Sequence, residues 1–354
     1  YVSLLGSLDT KSQKVMKLTT ILEELSIKFA DKIRPISFWL EGLETKGIKK
    51  LDDKNAKRLF DSVPKHYHFS LYKGREDAKH TLPEEIERTI HRKDMTGVNT
   101  LSELYDKITT NFTFKFKPKG EKEITYDNVE NLKKHIFSPK KEHRKAAYNA
   151  LFTTYSHNKE TLFTIYASIL KNWSLEAKER KYKSPINCRN NSNDFSAKAV
   201  EVLLKVCKKN AKTFQEFFKI KAKLLGMKKL DRTDLYAPLT KDTTKWKFEQ
   251  AKDTVMTVFN NFDKDFNKKA NIIFNKNHID SHPKTNKRTG AFCMYVNSKT
   301  APYVLLNFVG QGRDISTLAH ELGHGIHDLY ISDLPVTVAH PSIPLAETAS
   351  TFAE

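Results

Sequence analysis

The chain has 354 residues, of which 39% are hydrophobic and 29% charged, so it is long enough for a large buried core and for two domains. No stretch approaches the roughly 18–20 consecutive apolar residues of a membrane helix. The cysteines, Cys188, Cys207 and Cys293, are far apart and form no CxxC pair, which argues against a thiolate zinc site and a disulfide framework.

The formal net charge is +19 and comes mostly from lysines spread along the chain. A solvated, lysine-rich surface is the favoured interpretation, and neither a nucleic-acid nor a membrane partner is predicted. No signal peptide is visible. The few, widely spaced cysteines fit a reducing compartment, so we predict a cytoplasmic protein. Because the chain begins with Tyr1, its true N-terminus is expected to lie further upstream.

Apolar residues recur every three to four positions over much of the chain, which predicts a mainly helical fold. Pro35 and Gly42 are expected to interrupt the chain after the first helix. Helices are predicted over residues 11–29, from residue 81 onward, from residue 126 onward, and over residues 143–172 and 195–225. Loops are predicted for residues 183–194 and 282–290, which are rich in Asn, Ser, Gly and Pro.

Short runs of β-branched and aromatic residues follow the second loop. Residues 291–295 and 303–308 flank a turn, so they are predicted to form a strand pair. A helix with Asp314 as its cap is then expected from Ile315 to Tyr330.

This last helix carries the motif His320-Glu321-Leu-Gly-His324. Residues four apart lie about 40° apart around a helix axis, so both imidazoles project from one face and can bind one Zn²⁺. Glu321 is offset by about 100°, which suits a general base acting on water. Chance matches to this short pattern are common, and an exposed polar face is the alternative, but the surrounding apolar and glycine residues favour a buried metal-binding helix.

A catalytic zinc site needs a third protein ligand and an open position. Glu347 follows His320 by 27 residues, on a second predicted helix that begins near Pro344. Glu354 lies two turns further on and is either a partner for the second ring nitrogen of a ligand histidine or a surface acid at a frayed end. His327 is predicted to be a packed histidine near the site rather than a fourth ligand.

The chain resembles the oligoendopeptidase F branch of the thimet oligopeptidase family of zinc peptidases. The resemblance covers nearly the whole chain. It is carried by residues 290–293 (GAFC), 302–308 (PYVLLNF), 314–330 (DISTLAHELGHGIHDLY) and 344–354 (PLAETASTFAE) and by upstream helical segments.

The resemblance implies a mainly α multi-helix zincin fold with a deep substrate channel. It also implies a small β-sheet beside the helix from Ile315 to Tyr330, called the zinc helix below. It implies an N-terminal helical domain over residues 1–165 and a catalytic domain over residues 166–354. It also implies a metalloendopeptidase that cleaves short peptides and binds one Zn²⁺ per chain through His320, His324 and Glu347, with Glu321 as the base.

The strand pair before the zinc helix would offer a free edge to a substrate backbone. Its candidate substrate residues are Gly290, Ala291, Phe292 and Tyr303. Family members continue well beyond the helix that carries Glu347, so the chain is expected to be truncated at its C-terminus. Two alternatives therefore stay open: a zinc-binding fragment without activity, and a non-enzymatic basic helical protein that binds polyanions.

Overall fold

The computed structural model describes residues 1–45, 47–240 and 244–354. The fold is mainly helical with small sheets, as predicted. The α-helices are α1 (Val2–Leu8), α2 (Gln13–Glu41), α3 (Asp53–Asp61), α4 (His68–Asp77), α5 (Glu84–Thr96), α6 (Val98–Thr110), α7 (Val129–Lys133), α8 (Lys141–His157), α9 (Lys159–Glu179), α10 (Pro185–Ser192), α11 (Ala197–Lys209), α12 (Ala211–Leu224), α13 (Phe248–Phe262), α14 (Lys264–Asn275), α15 (Gly312–Tyr330), α16 (Val336–Ala339) and α17 (Ile343–Ala353). Short 3-10 helices cover Lys65–Tyr67, Ala78–His80, Lys134–Phe137 and Arg232–Asp234.

The strands are β1 (Phe114–Phe116), β2 (Ile124–Tyr126), β3 (Ile279–Asp280), β4 (Phe292–Met294) and β5 (Tyr303–Leu305). Strands β1 and β2 pair antiparallel. The second sheet has the order β3-β5-β4, with β3 parallel and β4 antiparallel to β5. The predicted strand pair before the histidine-rich helix is therefore present, and β4 is an edge strand.

The described chain divides into two compact units, each built from separate segments. One comprises Tyr1–Lys107, Glu160–Ser192 and Val336–His340, and the other Ile108–Lys159, Asn193–Pro335 and Pro341–Glu354. The predicted boundary between residues 165 and 166 falls inside α9. The division into compact units does not test where functional domains meet, so this boundary stays a prediction.

In the first unit, α2 packs against α4 and α5. Leu51, Ala56 and Phe60 form a small buried core there, beside the partly buried Trp39. Helix α2 runs through Pro35 and ends at Gly42, which adopts a left-handed conformation with φ +78°. The expected interruption at Pro35 is therefore wrong, whereas Gly42 does terminate the helix.

In the second unit, α13, α14 and the three-stranded sheet surround α15. The core comprises Ala251, Val255, Phe259, Ala270, Ile273, Val304, Leu306, Phe308, Leu318, Ala319, Leu322 and Ile326. Leu318, Leu322 and Ile326 follow the helical repeat of α15, so this helix buries one apolar face against its neighbours.

Two long predicted helices are each broken at an asparagine. The stretch 143–172 divides at Asn158 and the stretch 195–225 at Asn210. Each asparagine amide donates to the carbonyl four residues earlier, at 2.9 and 2.8 Å. Such side-chain bonds to the preceding turn compete with continuation of the helix.

The predicted loop over residues 183–194 contains a helix instead, α10. Its first residue is Pro185, a position where proline is favoured because the missing N–H has no helical partner. In the described part of the chain, no helix combines the length and apolar character needed to cross a bilayer.

Candidate metal centre

Backbone and carboxylate contacts fix the position of the start of α15. Gly310 has φ +85°, accepts a 3.0 Å hydrogen bond from the Trp246 N–H, and would place an added Cβ 2.9 Å from the Trp246 carbonyl oxygen. The buried Asp314 carboxylate accepts the N–H groups of Val309 and Gln311 at 2.9 and 3.0 Å. These contacts cap the helix and set its rotation relative to the sheet.

His320 and His324 lie one turn apart on α15, as predicted. Their ring centroids are 5.1 Å apart and the rings are nearly perpendicular. Both side chains are partly exposed, whereas Leu318 and Leu322 on the opposite face are completely buried. The hydrophobic face therefore fixes the helix, and the two imidazoles project toward α17.

Helix α17 packs against α15 at Gly323. A Cβ on Gly323 would lie 2.6 Å from the Ala353 Cβ, 2.8 Å from the Ala349 carbonyl oxygen and 2.9 Å from the Ser350 Cα. Only a residue without a side chain permits this approach. The close packing brings Glu347, near the start of α17, to the two histidines.

The three predicted ligand side chains converge. Oε2 of Glu347 lies 3.4 Å from Nε2 of His320 and 3.6 Å from Nε2 of His324. One donor atom from each residue lies within 4.8 Å of the other two. Ligands about 2.0–2.1 Å from a tetrahedral zinc ion are themselves about 3.3–3.4 Å apart, so this spacing suits a small divalent cation.

Two further groups act on the histidine rings. Nδ1 of His320 lies 3.3 Å from Oε2 of Glu354, and the Ala346 carbonyl favours the protonated form of His324. When Nδ1 of a neutral His320 carries the proton, its Nε2 turns a lone pair toward the Glu347 carboxylate, which is also an acceptor. A metal ion between these two acceptors would satisfy both of them, so this donor set fits a metal ion.

Two further contacts act on these groups. The Ser350 hydroxyl donates to Oε2 of Glu347 at 2.8 Å, which orients the carboxylate. Burial lowers the pKa of His324, although the Glu347 carboxylate opposes this shift. The His324 ring is therefore neutral at pH 7, the form in which imidazole binds a metal.

Glu321 is not one of the three donor groups of this cluster and is buried, with 6% of its surface exposed. The backbone N–H of Cys293 on β4 favours the charged form of its carboxylate. Burial raises the pKa of Glu321 to about 7, while the neighbouring His320 opposes that increase. The residue thus lies between the edge strand and the histidine pair.

The remaining predicted site residues lie around this centre. His327 is half-buried, and burial lowers its pKa, but it is not in the cluster of donor atoms that the described residues form. Phe292 begins β4 and pairs with Leu305, whereas Tyr303 begins β5 and pairs with Met294. Gly290 and Ala291 immediately precede β4, so their role as a substrate strand stays a prediction.

Sequence reasoning missed the surroundings of three polar side chains in the second unit. The Cys293 thiol lies 3.8 Å from Oδ2 of Asp328, and burial raises the pKa of Asp328 to about 6. Lys287 has its ammonium buried among the carbonyl oxygens of Asp280, His282 and Leu306. A lysine within a polar loop gives no sequence signal of burial, because lysine is almost always exposed.

Comparison with known proteins identifies the family. The model of peptidase family M3 matches residues 135–354, and the oligopeptidase F model matches residues 48–114. The chain belongs to peptidase family M3, in its oligoendopeptidase F branch.

Curated relatives are considerably longer. The chain is 29% identical to oligopeptidase PepF of Bacillus subtilis over 258 residues, which cover 72% of this chain and 38% of that protein. It is 27% identical to an oligoendopeptidase F homolog of Borreliella burgdorferi over 315 residues, which cover 87% of this chain and 52% of that protein. The chain thus spans about half or less of these relatives.

Solved structures share the fold. PZ peptidase A, solved with an inhibitor, superposes with a TM-score of 0.79 at 18% identity, over 99% of this chain and 59% of that chain. Oligoendopeptidase-F from Enterococcus faecium gives a TM-score of 0.60 at 18% identity, over 99% and 55%. At these identities the likeness establishes the fold alone.

Proposed function

We propose that this chain is the metal-binding part of a zinc-dependent endopeptidase that hydrolyses short peptides. His320, His324 and Glu347 would hold one Zn²⁺, and Glu321 would act as general base. The observation that carries the proposal is the convergence of two imidazole nitrogens and one carboxylate oxygen, with distances of 3.4 and 3.6 Å to that oxygen. The names of the oligopeptidase relatives support short peptides as the substrate class.

Two imidazoles and one carboxylate leave a fourth position open, as in catalytic rather than structural zinc sites. A bound zinc ion supplies Lewis-acid chemistry at such a site, polarising a carbonyl and acidifying water. Glu354, which lies next to Nδ1 of His320, would hold that imidazole in the binding tautomer.

The Glu321 carboxylate would take a proton from the attacking water and pass it to the nitrogen of the leaving amine. This carboxylate is close enough to His320 and Glu347 for their charges to change its pKa, and it is not in the donor cluster that the described residues form. The free edge of β4 would bind the substrate backbone as an added strand.

The test compares wild-type chain with Glu321→Gln on a quenched fluorescent peptide, with and without a chelator. We expect the variant to keep its zinc and to lose at least about 10²–10⁴-fold in turnover, the usual contribution of a general base. Cleavage that survives either the substitution or zinc removal would contradict the proposal. Zinc binding without cleavage by the wild type would favour an inactive metal-binding protein, and binding of polyanions without zinc would favour the basic helical protein.

We also propose a cytoplasmic location, because Cys188, Cys207 and Cys293 are all free thiols, as expected in a reducing compartment. Cell fractionation tests this, and recovery of the chain in an extracellular or membrane fraction would refute it.

A further inference from the structure

A cavity of about 110 Å³ lies at the end of the sheet, next to the first turns of α15. Its lining includes Lys134, Gly290, Ala291, Asn307, Arg313 and Thr317. All of these residues belong to the second compact unit. A water occupies about 30 Å³ of liquid, so the cavity has room for a small side-chain carboxylate or a chain terminus.

The cavity is close to the proposed catalytic residues. Thr317 lies four residues before Glu321 on α15, a rise of about 6 Å. Ala291 lies two residues before Cys293, whose backbone N–H opposes the rise in the pKa of Glu321. In an antiparallel pair, alternate residues direct their backbone groups away from the partner strand, so Ala291 would present its N–H and C=O at the same free edge as Cys293. A peptide paired along this edge would pass the cavity mouth.

The positive charges of the cavity lining outnumber the negative ones. The carboxylate of Asp314 accepts hydrogen bonds from the N–H groups of Val309 and Gln311. Glu130 forms an ion pair with Lys133 at 2.9 Å. The acids of the lining are thus already engaged with donors of the protein.

The other two cations contact aromatic rings. The guanidinium of Arg313 lies 4.5 Å from the centroid of Phe137, and the ammonium of Lys134 lies 5.3 Å from that of Tyr126. Neither forms an ion pair with a carboxylate in the described part of the chain. Burial lowers the pKa of Lys134, and the nearby charge of Lys245 adds to that shift, so the field at this wall is positive.

The lining is preorganised. The Gln311 side chain donates to the Lys134 carbonyl at 2.8 Å, which ties the Lys134 segment to the start of α15. The amide nitrogen of Asn307 donates to the carbonyls of Arg288 and Gly290 at 3.0 and 2.8 Å. Its Oδ1 is buried and accepts no hydrogen bond from the described residues.

We propose that this cavity is a carboxylate-binding subsite, in which Lys134 and Arg313 select peptides that carry an acidic group within a few residues of the cleaved bond. The proposal rests on the proposed peptidase function for its peptide ligand. The carboxylate has two sources, an internal Asp or Glu side chain and a free C-terminus.

The test measures binding of fluorescent peptides to the Glu321→Gln chain by anisotropy, so that no peptide is consumed. One pair of peptides, blocked at both ends, differs by Glu or Gln at a single position that is scanned along the peptide. A second pair differs by a free or amidated C-terminus. Charge-assisted hydrogen bonds predict about 10-fold tighter binding of one charged peptide over its neutral partner.

Lys134→Met and Arg313→Met should each remove most of this preference while leaving the neutral peptide's affinity unchanged. Lys205→Met, which removes one exposed charge from α11 outside the cavity, should leave the preference intact. Thermal unfolding checks that the variants fold. If Lys134→Met does not fold, Arg313→Met, which changes an exposed residue, provides the test.

Three results would overturn the subsite. These are equal binding of charged and neutral peptides, binding of neither peptide, and a Lys205→Met variant that loses the preference as much as the cavity variants do. Cleavage by the wild type without any preference for a carboxylate would refute the subsite alone. Selective binding without cleavage would leave the subsite standing and refute the peptidase function.

Discussion

The Glu354 carboxylate lies 3.3 Å from Nδ1 of His320. Glu347 lies 3.4 Å from Nε2 of the same ring, so the imidazole is held between two carboxylates from one helix. Metal-binding histidines commonly donate their second N–H to a carboxylate, which fixes the tautomer and makes the ligand more basic. Of the two predicted interpretations of Glu354, this contact favours the positioning role.

Glu354→Ala should weaken zinc binding by about 10-fold to 100-fold, because His320 loses the group that fixes its tautomer. Competition with a chromogenic chelator measures this affinity. Thr351→Ala, an exposed change on the same helix, is the control and should bind zinc like the wild type. Equal zinc affinity in the Glu354 variant and the wild type would return Glu354 to the role of a surface acid.

Gly323→Ala should destabilise the protein by about 1–3 kcal/mol, the usual cost of overpacking a close contact. It should also weaken zinc binding, since α17 must move away from α15 and carries Glu347 with it. Urea unfolding and chelator competition measure the two effects. Gly312→Ala, on the same helix with no atom within 4 Å of the added Cβ, should leave both unchanged or slightly raise stability. A Gly323 variant with normal stability and affinity would show that the close packing is not required.

Lys287 and Lys284 bind the two oxygens of the same Asp280 carboxylate, but only the Lys287 ammonium is completely buried. Lys287→Met should cost about 1–3 kcal/mol, because it leaves several buried carbonyls without their donor and the partly exposed Asp280 carboxylate with one partner fewer. Lys284→Met, at 61% exposure, should cost less than about 1 kcal/mol. Denaturant unfolding compares the two. Similar small losses would mean that the buried ammonium does not stabilise this loop.

Asp328 gives a pH dependence of stability. Burial raises its pKa to about 6 in the folded protein, against about 3.9 in an unfolded chain. The folded state therefore binds the proton more tightly, and its stability falls as pH rises from about 4 to about 6. Asp328→Asn cannot ionise, so it should gain stability relative to the wild type between pH 5 and pH 7.5. Unfolding in urea at both pH values measures this difference, with the exposed Asp333→Asn as the control for loss of one charge. A difference that does not change with pH would contradict the assigned burial.

The helix with the histidine pair could be predicted because its signals are local. Spacing places His320 and His324 on one face, and the apolar residues between them indicate the buried face. Pro344 marks the start of the partner helix for a similarly local reason. The contact of this partner helix with α15 at Gly323 depends on tertiary packing. The glycine indicates that another group approaches closely, but it does not identify that group.

Other features required the fold. The breaks at Asn158 and Asn210 depend on side-chain bonds to the preceding turn, which compete with helix continuation inside a periodic pattern. The contact between Cys293 and Asp328 joins a strand to a helix 35 residues later. Such pairs are not encoded in any local spacing, so a single sequence does not reveal them.

The most direct test of the metal centre is zinc stoichiometry by elemental analysis, after equilibration with zinc and removal of unbound metal. We expect one zinc per wild-type chain, and near-complete loss in His320→Ala, His324→Ala and Glu347→Ala variants that still fold. A wild-type chain without bound zinc, or three variants that retain it, would contradict the assignment of these ligands.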